Sequence, residues 1–165
     1  GRKTFMNNHS YQGKLAERTE LGAEHINEDS PEADAEAVIM MVDCFLAAGL
    51  SDFRIDIGQT DFYRAIMDRL QVSEEEKNKI HDLIENKNAL GMELFLSELD
   101  IEEEYRHILA EYDELYGDIS MLEKARSLTY DKRCLKALDR LERVYEVVCR
   151  YGYEKYIGFD LGMVN

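Results

Sequence analysis

Between Asp131 and Tyr151 the chain sets Leu135, Leu138, Leu141, Val144, Tyr145 and Val148 three or four residues apart, and Gly152 follows. That spacing predicts one long amphipathic helix, the clearest element in the sequence, stopped by the glycine. An apolar stripe of this length has to be buried against other elements. Much of the rest of the chain reads as candidates for that role. Ser30-Pro31-Glu32 is a helix start: a serine to cap free amides, a proline suited to the first turn, and carboxylates (Glu32, Asp34) at the positive end. Ala35, Val38, Met41, Val42, Phe45 and Leu46 continue it as a stripe that Gly49, in left-handed conformation, should end.

Strand patterns lie between and around the helices. Phe53-Arg54-Ile55-Asp56-Ile57-Gly58 alternates, with Phe53, Ile55 and Ile57 on one face and Arg54 and Asp56 on the other, the pattern of a half-buried strand. Tyr156–Val164 alternates again through Ile157, Phe159 and Leu161, and Arg2–Asn7 reads as a short strand. Glu17–Ile26 is ambiguous by period; its second half is expected to be a strand, because Gly22 opposes a helix. A short helix carrying Phe62, Ile66, Met67 and Leu70 precedes Ser73-Glu-Glu-Glu76, which has the spacing of a capping box and opens a helix with Ile80, Leu83 and Ile84. From Asn88 to Leu128 the pattern breaks at Gly91, Asp100 and Gly117, as expected of several short helices.

The formal charge of −15 repels phosphate backbones, so nucleic-acid binding through this segment is not expected. The three cysteines, Cys44, Cys134 and Cys149, show no paired spacing for zinc or a disulfide framework. Cys44 and Cys149 fall in apolar helical patterns and are expected to be small buried thiols. No apolar run reaches the ~18 residues of a membrane span, and no signal peptide precedes the first element. These features lead to the expectation of a cytoplasmic protein. The chain lacks an initiating methionine and stops at Asn165 without a cap, which predicts a piece of a longer protein.

Catalytic signatures are sparse. There is no phosphate-binding glycine loop and no nucleophile or zinc-protease motif. His81 and His107 have carboxylates one turn away (Glu85, Glu103, Glu111), where solvated surface is a better reading than a metal site. Glu20 and Glu24, four apart around Gly22, would share a face on a strand and could grip an ammonium group, each charge-assisted hydrogen bond contributing roughly 1.5–3 kcal/mol. A solvated sheet face explains the same pair equally well, and His25 beside Glu24 is a further candidate to line a cleft.

Several segments resemble the histidyl-tRNA synthetases. Thr19-Glu-Leu-Gly-Ala-Glu-His-Ile26 is similar to their TQxGxExIG strand, and Asp29-Ser-Pro-Glu-Ala-Asp-Ala-Glu36 to the helix that follows it. Leu50-Ser-Asp-Phe-Arg-Ile-Asp-Ile-Gly58 resembles the next strand. Leu138-Asp-Arg-Leu-Glu142 and Phe159-Asp-Leu-Gly-Met-Val164 resemble the run towards their second histidine-binding motif. The resemblance implies an α+β fold, part of a class II aminoacyl-tRNA synthetase-like catalytic domain: an antiparallel sheet with helices, helix-rich in this stretch. It divides into core strands and helices over 1–70, a helical insertion over 71–128, and a long helix and return strand over 129–165.

The departures are informative. Matching Gly13 and Gly22 to the family puts Phe5 on its phenylalanine and Met6 on the arginine that holds the ATP α-phosphate. A methionine has neither charge nor donor and cannot stabilise a pentacovalent phosphate. At the other end the family's Leu-Val-Arg-Gly becomes Met163-Val164-Asn165. This pattern resembles the synthetase paralogue that serves as regulatory subunit of ATP phosphoribosyltransferase in histidine biosynthesis. That resemblance implies no catalytic residue, no metal and no cofactor. Its implied partners are the catalytic subunit, further copies of itself, and L-histidine as ligand, with Glu20, Glu24 and Asn165 as the candidate contacts. A divergent histidyl-tRNA synthetase, using Arg2 or Arg18, is the alternative. A helical interaction module with a dead ligand site is the third reading.

Overall fold

The computed structural model describes residues 2–5 and 17–20 as backbone and residues 30–164 in full. Along the chain run β1 (Arg2–Phe5), β2 (Glu17–Glu20), α1 (Pro31–Ala47), β3 (Ile55–Ile57), α2 (Thr60–Arg69), α3 (Glu74–Glu85), α4 (Ala89–Ser97), α5 (Glu103–Ala110), β4 (Tyr116–Gly117), α6 (Ser120–Ser127), α7 (Lys132–Arg150) and β5 (Ile157–Asp160). No helix among the described residues is long and apolar enough to cross a membrane.

Helix ends follow the local chemistry. Ser30 is extended and its hydroxyl accepts from the Ala33 amide at 3.1 Å, with Pro31 at the first helical position. Beyond α1, Gly49 sits at φ +85°, a conformation that a side chain would strain. The capping box at α3 is formed on both sides, Glu76 amide to Ser73 hydroxyl at 3.1 Å and Ser73 amide to Glu76 carboxylate at 3.0 Å. Gly91 does not break a helix as expected. Asn88 caps α4 by accepting from the Gly91 amide at 2.9 Å, so the glycine falls in the first turn.

The long helix α7 is the spine. Cys134, Ala137, Leu138, Leu141, Val144, Val147 and Val148 are buried along it, each large aliphatic side chain contributing roughly 1.5–3 kcal/mol. The stripe is rotated slightly from the predicted one, leaving Leu135 and Tyr145 half-buried. α1 and α2 pack against α7. Around their edges Arg140 meets Asp34 at 3.1 Å, Arg143 meets Glu32 at 3.0 Å, and Arg133 joins Asp61 at 2.6 Å. The Arg143–Glu32 and Arg133–Asp61 pairs are exposed and contribute only ~0–1 kcal/mol each, whereas Arg140–Asp34 is largely buried, so the apolar stripe holds most of the packing.

Helix α5 and the turn after it are fastened to the rest by polar groups. The Glu104 carboxylate accepts from the Thr129 hydroxyl at 2.8 Å, the Tyr130 amide at 2.7 Å and the Asp131 amide at 3.1 Å. Tyr112, fully enclosed, donates to the Leu161 carbonyl at 2.8 Å.

The expected antiparallel pairing is present, and one parallel pair makes the second sheet mixed. β1 and β2 are antiparallel, but the second sheet has order β3-β5-β4, with β3 parallel to β5 and β4 antiparallel to it. The parallel pair requires a long crossover, and α2–α7 supply it. β2 occupies the first half of Glu17–Ile26, and residues 21–26, where the strand was expected, lie outside the described residues. β5 ends at Asp160 rather than running to Val164, because the Asp160 carboxylate accepts from the Gly162 amide at 2.8 Å and turns the chain. Cys44 and Cys149, expected to be buried, are exposed, and the buried thiol is that of Cys134.

Candidate functional site

Alternation along β3 and β5 sorts their side chains onto two faces. Ile55, Ile57, Ile157 and Phe159 enter the core. Asp56 lies opposite Gly158, and Tyr116 opposite Asp160, so these positions share the other, polar face. Arg54 joins it from two residues before Asp56, donating from Nε to the Asp56 carboxylate at 2.5 Å. The expected half-buried strand therefore has both faces covered: Asp56 is only 6% exposed, under the guanidinium. Gly158 makes the room. A Cβ there would stand 2.0 Å from Arg54 Nε and 2.4 Å from Asp56 Oδ1.

Around this pair the charges are fixed by local bonds. The Ser120 hydroxyl and then its amide hold the Asp118 carboxyl below the usual carboxylate range, and Arg54 adds attraction from across the sheet. Lys87 lies 5.2 Å from the centre of the Tyr116 ring. The face thus offers an oriented guanidinium among carboxylates, chemistry suited to a small polar ligand carrying both charges. A separate small pocket between α1, α7 and Gly58-Gln59 is about 40 Å³, room for a water rather than a ligand.

The residues singled out in the sequence are distributed unevenly. Glu20 closes β2, its backbone opposite Arg2. Its side chain, and Met6, His25, Glu24 and Asn165, lie outside the described residues. His81, Asp82 and Glu85 bring three ligand atoms within 4.8 Å of one another. They sit on one acidic helical turn, with the His81 ring packed edge-on to Tyr63 at 5.9 Å. That arrangement is a solvated helix face. Beside His107, Glu103 pairs with Arg106 at 3.0 Å and Glu111 with Lys124 at 3.5 Å. What the sequence reading missed is the Arg54–Asp56–Gly158 arrangement, whose one signal was a glycine between Ile157 and Phe159.

Residues 3–165 match the family model of histidyl-tRNA synthetase. The chain belongs to the histidyl-tRNA synthetase family. Within that family it is 35% identical over 98% of its length to a protein of Acetivibrio thermocellus, and 36% identical over 98% to one of Clostridium acetobutylicum. Both are named ATP phosphoribosyltransferase regulatory subunit. The chain spans 38% and 40% of their respective lengths. Its structure is similar to that of a Bacillus halodurans protein described as an ATP phosphoribosyltransferase regulatory subunit/histidyl-tRNA synthetase, with TM-score 0.73, 26% identity, 83% of this chain and 36% of that one covered. A Nostoc histidyl-tRNA synthetase gives TM-score 0.64 at 21% identity, over 84% of this chain and 34% of that one. The fold is the histidyl-tRNA synthetase-like class II fold, represented in part, helix-rich and with a small mixed sheet.

Proposed function

We propose that this chain belongs to a non-catalytic regulatory subunit of ATP phosphoribosyltransferase, which activates the catalytic subunit and contributes to feedback control by histidine. The observation that carries the reading is the loss of both synthetase arginines, replaced by Met6 and Asn165 in a frame that otherwise keeps the family's wording. Without those guanidiniums a pentacovalent phosphate has no stabilising charge at either edge of the site. The names of the relatives point the same way.

In this reading residues 71–128 are a helical insertion between the core elements of 1–70 and the long helix and return strand of 129–165. Glu20 and Glu24 grip the ammonium of L-histidine, with Asn165 at the far edge. Histidine then shifts the complex by its differential affinity for two states, and the protein works in the cytoplasm as a hetero-oligomer that also self-associates. Histidine-dependent ATP–pyrophosphate exchange tests the first claim: the full-length protein should show none, and exchange would restore the synthetase reading. Calorimetric titration of L-histidine, with and without the catalytic chain, tests the second. Binding should weaken when Glu20→Ala and Glu24→Ala are combined, and unchanged binding would move the ligand elsewhere.

A further inference from the structure

Helix α4 is apolar on more sides than its packing uses. Met92 and Leu96 are buried, yet Leu90 and Leu94, one turn apart on the opposite side, are 68% and 62% exposed. A helix that is hydrophobic nearly all round is normally enclosed. Next round the helix from Leu94, Phe95 lines an open cleft of about 430 Å³, whose other walls are Glu75, Glu76, Asn78, Lys79 and Asp82 of α3. An exposed leucine pair therefore borders a trough walled by three carboxylates and one lysine.

We propose that the α3–α4 face docks a basic amphipathic helix of a partner protein. Its apolar residues, spaced one turn apart, would seat on Leu90, Leu94 and Phe95, and its lysines or arginines would face Glu75, Glu76 and Asp82. Charge decides the occupant. A second copy would bring the same acidic cleft and another −15 charge against this one. Nucleic acid and anionic lipid are repelled for the same reason. The surrounding segment, 71–128, reinforces this with sixteen Asp and Glu against six Lys and Arg. The inference stands on these two helices and does not depend on which enzyme is regulated.

The probe is a fluorescein-labelled synthetic helix with leucines at helical spacing and lysines on its flanks, compared with a twin carrying glutamates for lysines. Fluorescence anisotropy should show saturable binding of the lysine peptide alone, weakened by salt. Combining Leu90→Ser with Leu94→Ser should reduce affinity about tenfold or more, the loss expected of central apolar anchors. Glu75→Lys should weaken binding, whereas Glu36→Lys, the same charge change on α1, should not. All four positions are exposed, so folding is spared. The proposal falls if the lysine peptide does not bind, if the glutamate peptide binds equally, or if Glu36→Lys matches Glu75→Lys. It also falls if the leucine variant leaves affinity unchanged, or alters sedimentation by disrupting a dimer.

Discussion

Two close contacts set the chemistry of single residues. At Gly158 any side chain collides with the Arg54–Asp56 pair, whose atoms would lie within 2.4 Å of the new carbon. Gly158→Ala should therefore destabilise the chain by about 1–3 kcal/mol, the usual cost of overpacking, read from urea unfolding. Unchanged stability would mean the pair moves aside freely. The cysteines differ in the same local way. Burial pushes the Cys134 thiol up to about 12, while Cys44 and Cys149 are open to solvent. At pH 8 a disulfide reagent should titrate two thiols quickly and the third only on unfolding. The sequence reading had assigned burial to the other two, because helical periodicity locates a stripe only to within part of a turn. Arg54 and Asp56 were legible as one polar face. Their burial was not, since the glycine that allows it lies a hundred residues along the chain.

At the scale of elements, caps were the most legible features because they need only neighbours in sequence: Ser30, Ser73-Glu76 and Gly49 all act as read. The parallel pairing and the two-residue β4 were not legible, because non-local partners leave no period in either segment. Asp131 shows how a cap couples elements. Its carboxylate accepts from the Arg133 amide at 2.8 Å, the Cys134 amide at 3.2 Å and the Tyr105 hydroxyl at 3.0 Å, while Arg69 approaches to 3.5 Å. Burial alone would raise its titration, but these donors and the arginine outweigh it and hold the carboxyl below its ordinary value. A lowered value means stability that is complete above the ordinary carboxylate range and lost as pH falls through the folded value. Asp131→Ala should cost about 1–3 kcal/mol at pH 7, from a lost cap and a stranded Tyr105 hydroxyl. Chemical unfolding across pH should find that deficit constant down to about pH 5 and shrinking below about pH 4. A deficit independent of pH would assign the loss to packing.

Over the whole molecule, the formal charge of −15 opposes the short ion pairs that ring α7, and distance decides which prevails. A folded chain of this length has a radius of gyration of about 15 Å, so its excess carboxylates repel one another over tens of ångströms. The screening length falls from about 30 Å at 0.01 M salt to about 10 Å at 0.1 M. Added sodium chloride therefore removes most of the long-range repulsion, while pairs in contact at about 3 Å lose little. The unfolded chain, being expanded, has less repulsion to lose. Thermal unfolding between 10 and 150 mM sodium chloride should show Tm rising by about 2–4 °C, the equivalent of ~1 kcal/mol in a domain of this size. Chloride is the salt to use, since sulfate would also strengthen apolar burial. A falling Tm would mean that the pairs at the α1–α7 and α2–α7 edges contribute more than exposed pairs usually do. Substituting Arg133 or Arg143 would then remove the salt response, whereas replacing acidic residues of α3 would not.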